Sequence, residues 1–280
     1  MSELVLVTGA AGRIGSRLRP RLARPGRTLR LLDTAEQSPP GPDEAVELVH
    51  ADLADVPALT AACAGASAVV HLAALPNEES WEKLLRVNVE GSRNLLEAAR
   101  SAGVPRVLLA SSIHAAGFYR RPGTDPGPPG VPAPEGPDGV PSAVPPRPDT
   151  YYGWSKAAVE SLGSLYADRF GMTVFALRFG ACFPEPPGQR GLDSWLSPDD
   201  CARLISACLA ADVTGFRVLW GISDNTRRWW SLREAREIGY DPRDDAEPYA
   251  DRVGQIEGEA ETADLLGASF CAVPLGVPFT

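Results

Sequence analysis

The chain has 280 residues, 44% of them hydrophobic and 22% charged, and a formal net charge of −9 at pH 7. That suits a folded protein made of one large domain, or of a nucleotide-binding domain with a smaller appendage. It lacks the concentrated positive charge that a phosphate backbone demands, so no nucleic-acid partner is expected.

No apolar stretch approaches the roughly 20 residues that span a bilayer, and the N-terminus lacks a basic segment followed by an apolar core and a small-residue cleavage site. A cytoplasmic location without membrane contact is therefore expected. The five cysteines, Cys63, Cys182, Cys201, Cys208 and Cys271, share no C-x-x-C spacing. They read as reduced, packed side chains, with no metal site.

Leu4-Val5-Leu6-Val7 is a continuous apolar run, the mark of a parallel strand covered on both faces. Thr8-Gly9-Ala10-Ala11-Gly12-Arg13-Ile14-Gly15 follows, then a helical pattern from about Ile14 to Leu22. Glycines between a strand and a helix let the backbone approach a pyrophosphate, which then rests on the helix N-terminus. Gly9, Gly12, Arg13, Ile14 and Gly15 are thus candidate cofactor contacts. Thr28 to Leu32 is the second strand. Asp33 closes it, where a carboxylate accepts from the adenosine ribose hydroxyls and repels a 2′-phosphate, which favours NAD over NADP. Val46 to Val49 is the third strand. Asp52 and Leu53 follow it as candidates for the adenine edge, with a helix-capping aspartate as the alternative.

Ala68 to Leu72 is the fourth strand, and Leu72, Ala73 and Ala74 stand at its carboxyl end. Trp81 to Ala102 reads as one long helix, stopped by Gly103 and Pro105. Arg106 to Ala110 is the fifth strand and runs into Ser111-Ser112. From Pro122 to Pro148 there are 11 prolines and 5 glycines, so neither a helix nor a central strand can form. This insert (121–148) is read as an active-site loop, with an interdomain linker as the alternative. A helix from about Tyr152 to Arg169, a strand from Thr173 to Phe179, a helix from about Asp199 to Ala210 and a strand from Phe216 to Trp220 complete the regular elements. A short helix near Ser231 to Glu237 interrupts an irregular tail. Strands alternating with helices imply an α/β fold, a Rossmann-type doubly wound parallel sheet with ligands outside the carboxyl ends of its strands. The expected division is a nucleotide-binding domain over 1–180 and a small substrate-binding portion over 181–280.

Tyr152-Gly153-Trp154-Ser155-Lys156 places a phenol and an amine on one helix face. A nearby ammonium stabilises phenolate and brings a phenol closer to use as a general base. Ser112, at the end of the fifth strand, can hold the substrate oxygen that Tyr152 protonates or deprotonates.

These pieces, with Thr8 to Gly15, Asp52-Leu53, His71 to Ala74 and Asn88, resemble the extended short-chain dehydrogenase/reductase superfamily. The resemblance implies NAD as cofactor, contacts to it from Asn88, Tyr152 and Lys156, a small-molecule substrate, and a homo-oligomer, dimer or larger. A narrower resemblance, to the uronate dehydrogenases, rests on several segments. They are Ser111-Ser112-Ile113-His114 with Gly117-Phe118-Tyr119, Arg178 to Pro186, Trp195, Ser197 to Asp200, Trp220-Gly221 and Trp229-Trp230. It implies hydride transfer to NAD from the anomeric carbon of a sugar acid, with substrate contacts from Ser112, His114, Tyr152 and Arg190, the last clamping the carboxylate. Ile113 and Ala181 are also expected at the substrate, but there and at Pro76 this chain is apolar where those enzymes hold an asparagine and two serines. Each lost partner for a buried hydroxyl costs about 1–3 kcal/mol. Glucuronate and galacturonate are therefore expected to be poor substrates, with a less hydroxylated anionic ligand in their place. A sugar epimerase that retains its NAD, a tailoring ketoreductase and an NAD-sensing binding protein are the competing readings. Packed-histidine and solvated-arginine alternatives stand for His114 and Arg190, and the tryptophan pair reads as core.

Overall fold

The apolar run Leu4 to Val7 lies within strand β1 (Glu3–Thr8), which pairs in parallel with β2 (Arg27–Asp33) on one side and β4 (Ala68–His71) on the other. In this computed structural model, residues 3–122, 138–254, 262 and 264–278 are described. With β3 (Val46–His50), β5 (Arg106–Ser112), β6 (Thr173–Phe179) and β9 (Phe216–Gly221), these strands form one parallel sheet in the order β3-β2-β1-β4-β5-β6-β9, while the short β7 (Ala181–Cys182) and β8 (Trp195–Leu196) pair with each other. The chain leaves β1 toward one edge and resumes at β4 toward the other. The loops at the carboxyl ends of these two strands therefore diverge and open a crevice.

Side chains along a strand alternate between faces, and the core divides accordingly. Val5, Val7, Leu29 and Leu31 pack on one face with Leu18 and Leu22 of α1 (Gly15–Leu22) and with Leu204 and Ile205 of α7 (Pro198–Ala210). Leu6, Leu32 and Val69 face the other way. There they meet Leu59 of α2 (Val56–Cys63), Leu95 and Leu96 of α4 (Gly91–Ser101) and Val159 of α5 (Tyr151–Phe170). Each leucine buried in this way contributes roughly 2 kcal/mol.

The helices begin where side-chain acceptors meet otherwise unpaired amides. Thr150 accepts from the Gly153 amide at the start of α5, and Ser197 from the Asp200 amide at the start of α7, with Pro198 in the first turn. All five cysteines are free, and four are buried. Among the described residues, no helix is long and apolar enough to cross a membrane.

The structure bears on three expectations. The single α-helix from Trp81 to Ala102 is α3 (Trp81–Leu84), a π-helical turn (Leu85–Glu90) and α4, wound as one continuous run. The extra residue per turn carries Asn88 inward, where it is buried. The division at residue 180 does not fall at a break, because β9 completes the sheet and α7 covers one face of it.

The proline-rich insert is only partly within the described residues, since 123–137 lie outside them. Its far end packs on the domain, where Asp138 and Gly139 line a pocket beside Trp229. Val140 is fully buried and accepts from the Trp220 indole, while Ser142 donates to the Val218 carbonyl. Arg178 on β6 donates to the carbonyls of Ser142 and Val144 and makes a two-pronged ion pair with Glu160 of α5. The insert therefore leaves the sheet edge tied to the helix that carries Tyr152.

Candidate active site

A cleft of about 430 Å³ opens at the carboxyl ends of β4, β5 and β6 and reaches the start of α1. At that end Gly9 turns with φ +69°, and a Cβ there would stand 2.6 Å from the Ala73 amide nitrogen. A Cβ on Gly15 would stand 2.3 Å from the Gly9 carbonyl oxygen. The glycines thus seat the turn against β4 and against its own helix, and Arg13 and Ile14 at the N-terminus of α1 form cleft wall. Asp33 lies beside this turn, accepting from the amides of Ala11 and Ala35, both at 2.9 Å. Backbone amides, a helix N-terminus and a carboxylate in this order fit a dinucleotide's pyrophosphate and adenosine ribose.

Other expected cofactor residues are placed differently from one another. Leu72 and Ala74 line the cleft, and Ala73 packs under Gly9. Asn88 does not line it. Its amide grips the Leu75 backbone in both directions, at 2.8 and 3.1 Å, and donates to Ser155 Oγ at 2.9 Å, so it shapes the loop beyond Ala74 from behind. Asp52 is exposed and accepts from the Ala54 amide, whereas the cap of α2 is Asp55. Leu53 packs against Gly91. His71 bonds Thr8 and Ser92. Burial, with Lys156 nearby, pushes its pKa down to about 3, so it is neutral.

In the middle of the cleft Ser112, Tyr152 and Lys156 converge. Lys156 Nζ stands 5.6 Å from the Tyr152 ring centre and donates to the Ala110 carbonyl at 2.9 Å. Burial pushes the Lys156 pKa down to about 8. Burial likewise raises the Tyr152 phenol, to about 12, while its hydrogen bond with Ser112 pulls the other way. A phenol with a hydroxyl on one side and an amine one helical turn away can pass a proton to or from a substrate oxygen. The buried carboxylate of Glu78 accepts the Tyr152 amide with one oxygen and the Gly276 amide with the other, both at 2.7 Å. It fixes the first turn of α5 where the helix dipole favours an anion.

The far end holds the expected substrate residues. His114 lines the cleft, and its Nδ1 lies 2.7 Å from the fully buried Asp149 carboxylate, so its partner is a side chain rather than backbone. Its ring stacks on Phe270, 3.9 Å between centres. Ile113 and Ala181 also form wall, as does Pro76 from an exposed position. Arg190 is not a solvated loop residue. It lines the cleft and donates to the Asp193 carboxylate and, at 2.7 Å, to the Leu266 carbonyl. Its guanidinium lies over the rings of Trp229 and Trp230, both buried in the core.

Reading the sequence missed Asp149, Glu78, Asp193 and Phe270. Asp149 had a usable signal, standing beside the cap residue Thr150 immediately before the tyrosine helix. Phe270 had none, because the tail has no period.

The model of the NAD-dependent epimerase/dehydratase family matches residues 5–229. The chain is 39% identical to the uronate dehydrogenase of Agrobacterium fabrum over 97% of each chain. It is 34% identical to the L-arabinose 1-dehydrogenase (NAD(P)(+)) of Haloferax volcanii, over 86% of this chain and 97% of that one. A mutant uronate dehydrogenase from Agrobacterium tumefaciens, solved in complex with NAD, superposes with a TM-score of 0.84 at 36% identity, over 97% of this chain and 98% of that one.

Proposed function

Since the chain belongs to the NAD-dependent epimerase/dehydratase family, we propose that it moves hydride between NAD and the anomeric carbon of a small sugar, oxidising a cyclic hemiacetal to a lactone. The observation that carries this reading is the convergence of Ser112, Tyr152 and Lys156 in a cleft that begins at the glycine turn. NAD, when bound, supplies the hydride acceptor at its nicotinamide ring. The glycine turn with Arg13 and Ile14 would hold its pyrophosphate, Asp33 its adenosine ribose and Lys156 its nicotinamide ribose.

Ser112 donates to the substrate oxygen and keeps it against Tyr152. Tyr152 Oη, as phenolate, takes the hydroxyl proton as the carbon surrenders hydride, so two electrons leave as hydride and the one proton converts the phenolate to phenol. The Lys156 ammonium stabilises the phenolate that accepts it. With His114 donating its Nδ1–H to the Asp149 carboxylate, Nε2 is left to accept from a sugar hydroxyl. Phe270 and Ile113 supply apolar wall, so the ligand's hydroxyls meet few hydrogen-bonding side chains in this half of the cleft. Residues 181–194 and 266–270 make up the substrate side.

The test is NADH absorbance against a panel of aldoses, uronates and non-sugar secondary alcohols, with NAD in excess. Stoichiometric NADH from one or more sugars is the expected result. Turnover of a sugar without NADH release would replace the dehydrogenase by an epimerase that retains its cofactor.

A further inference from the structure

Recognition of a carboxylate needs unspent positive charge, and the substrate side of the cleft holds two side chains that could offer it, His114 and Arg190. Arg13 stands at the opposite end, beside the glycine turn, with its guanidinium 4.1 Å from the centre of the Phe183 ring. Lys156 lies at the centre and is bonded to a backbone carbonyl.

His114 already faces the Asp149 carboxylate. Arg190 is committed at both terminal nitrogens, one to an Asp193 oxygen and the other to the Leu266 carbonyl. The second Asp193 oxygen accepts from the Trp229 indole at 2.8 Å. Arg190 and Asp193 are three residues apart at the start of α6 (Gly191–Ser194), so the chain itself delivers the pair. The two side chains are only 13% and 14% exposed, which leaves little water to screen them. Arg121, which lies 5.7 Å from the Trp229 ring centre, does not line the cleft.

Arginine recognises a carboxylate by presenting two parallel N–H donors. Here one of those donors goes to the protein's own aspartate and the other to the Leu266 carbonyl. A ligand carboxylate would have to displace Asp193, leaving it buried without its cation, or approach it at the cost of like-charge repulsion. A neutral sugar asks only for hydrogen bonds. We propose that Asp193, which pairs with Arg190 from outside the cleft lining, neutralises the charge a substrate carboxylate would otherwise meet, making it the specificity-determining residue that selects uncharged aldoses over uronates. The proposal rests on the anomeric-oxidation reading given above and names its substrate class.

The test compares matched pairs, galactose with galacturonate and glucose with glucuronate, in the unmodified enzyme and in Asp193→Asn. Asparagine keeps the shape and the acceptor for Trp229 but removes the charge; Asp193→Ser serves if the asparagine variant fails to fold. The neutral member of a pair should have a kcat/KM at least about tenfold above its uronate in the unmodified enzyme, as expected for one charged hydrogen bond. In the variant, the uronate KM should fall at least about tenfold while the neutral sugar changes by no more than about threefold.

An unmodified enzyme that prefers the uronate overturns the proposal, as does an unchanged ratio in a folded, NAD-binding variant. If no sugar is oxidised, the hydride-transfer reading has failed on its own. Calorimetric titration of the NADH-loaded proteins with glucuronate then decides on Asp193. Binding at least about tenfold tighter in the variant supports its role as internal counter-charge, and equal binding overturns it.

Discussion

Lys156→Met should make the cofactor-free protein more stable while abolishing its activity. The ammonium is buried, and its pKa falls from the ordinary 10.5 to about 8. Holding it charged at neutral pH therefore opposes folding by roughly 3 kcal/mol. Methionine fills similar length with apolar atoms but cannot donate to the Ala110 carbonyl, which returns about 1 kcal/mol. The net gain is about 2 kcal/mol, a rise of about 5 °C in Tm for a chain of this size.

The pH dependence separates this cause from better packing. The folded protein releases the Lys156 proton at about 8, while the unfolded chain holds it to about 10.5. Between those values the unfolded state binds more protons, so the unmodified protein gains stability as pH rises through the window. The advantage of the methionine variant should be full below about pH 8 and shrink toward pH 10.5. Thermal melts without cofactor at pH 7, 8, 9 and 10, compared pairwise, measure it. A variant no more stable at pH 7, or an advantage that persists unchanged at pH 10, would refute the reasoning. Turnover should be lost at every pH, because the phenolate of Tyr152 then has no cation beside it.

Tyr152→Phe removes only the phenolic oxygen and should lower turnover at least about a hundredfold while NAD binding, read by fluorescence titration, persists; near-normal turnover would mean that another group moves the proton. NAD should bind more tightly than NADP, because the Asp33 carboxylate stands beside the glycine turn and repels a 2′-phosphate. Equal affinities in parallel titrations would remove Asp33 from that role.

Much of this was legible in the residues alone, for a physical reason. A parallel strand covered on both faces must be apolar throughout, so the β1 run was visible, and a tyrosine and a lysine one helical turn apart share a face wherever the helix packs. The glycine turn is legible because its backbone permits little else. Local rules of this kind determined the strands, the glycine turn and the shared helix face of Tyr152 and Lys156.

The long-range neighbours were decided only by the tertiary structure. Nothing in the sequence pairs Glu78 with Tyr152 and Gly276, or brings Phe270 out of an aperiodic tail onto His114, because such contacts repeat with no period. Asn88 carried the right residue type but acts from behind the wall, turned inward by a π-helical turn. Arg190 shows the difference most sharply. The resemblance to uronate dehydrogenases implies a carboxylate clamp at this position, yet whether it has charge left for a ligand depends on Asp193, Leu266 and Trp229, and their distances exist only once the chain has folded around them.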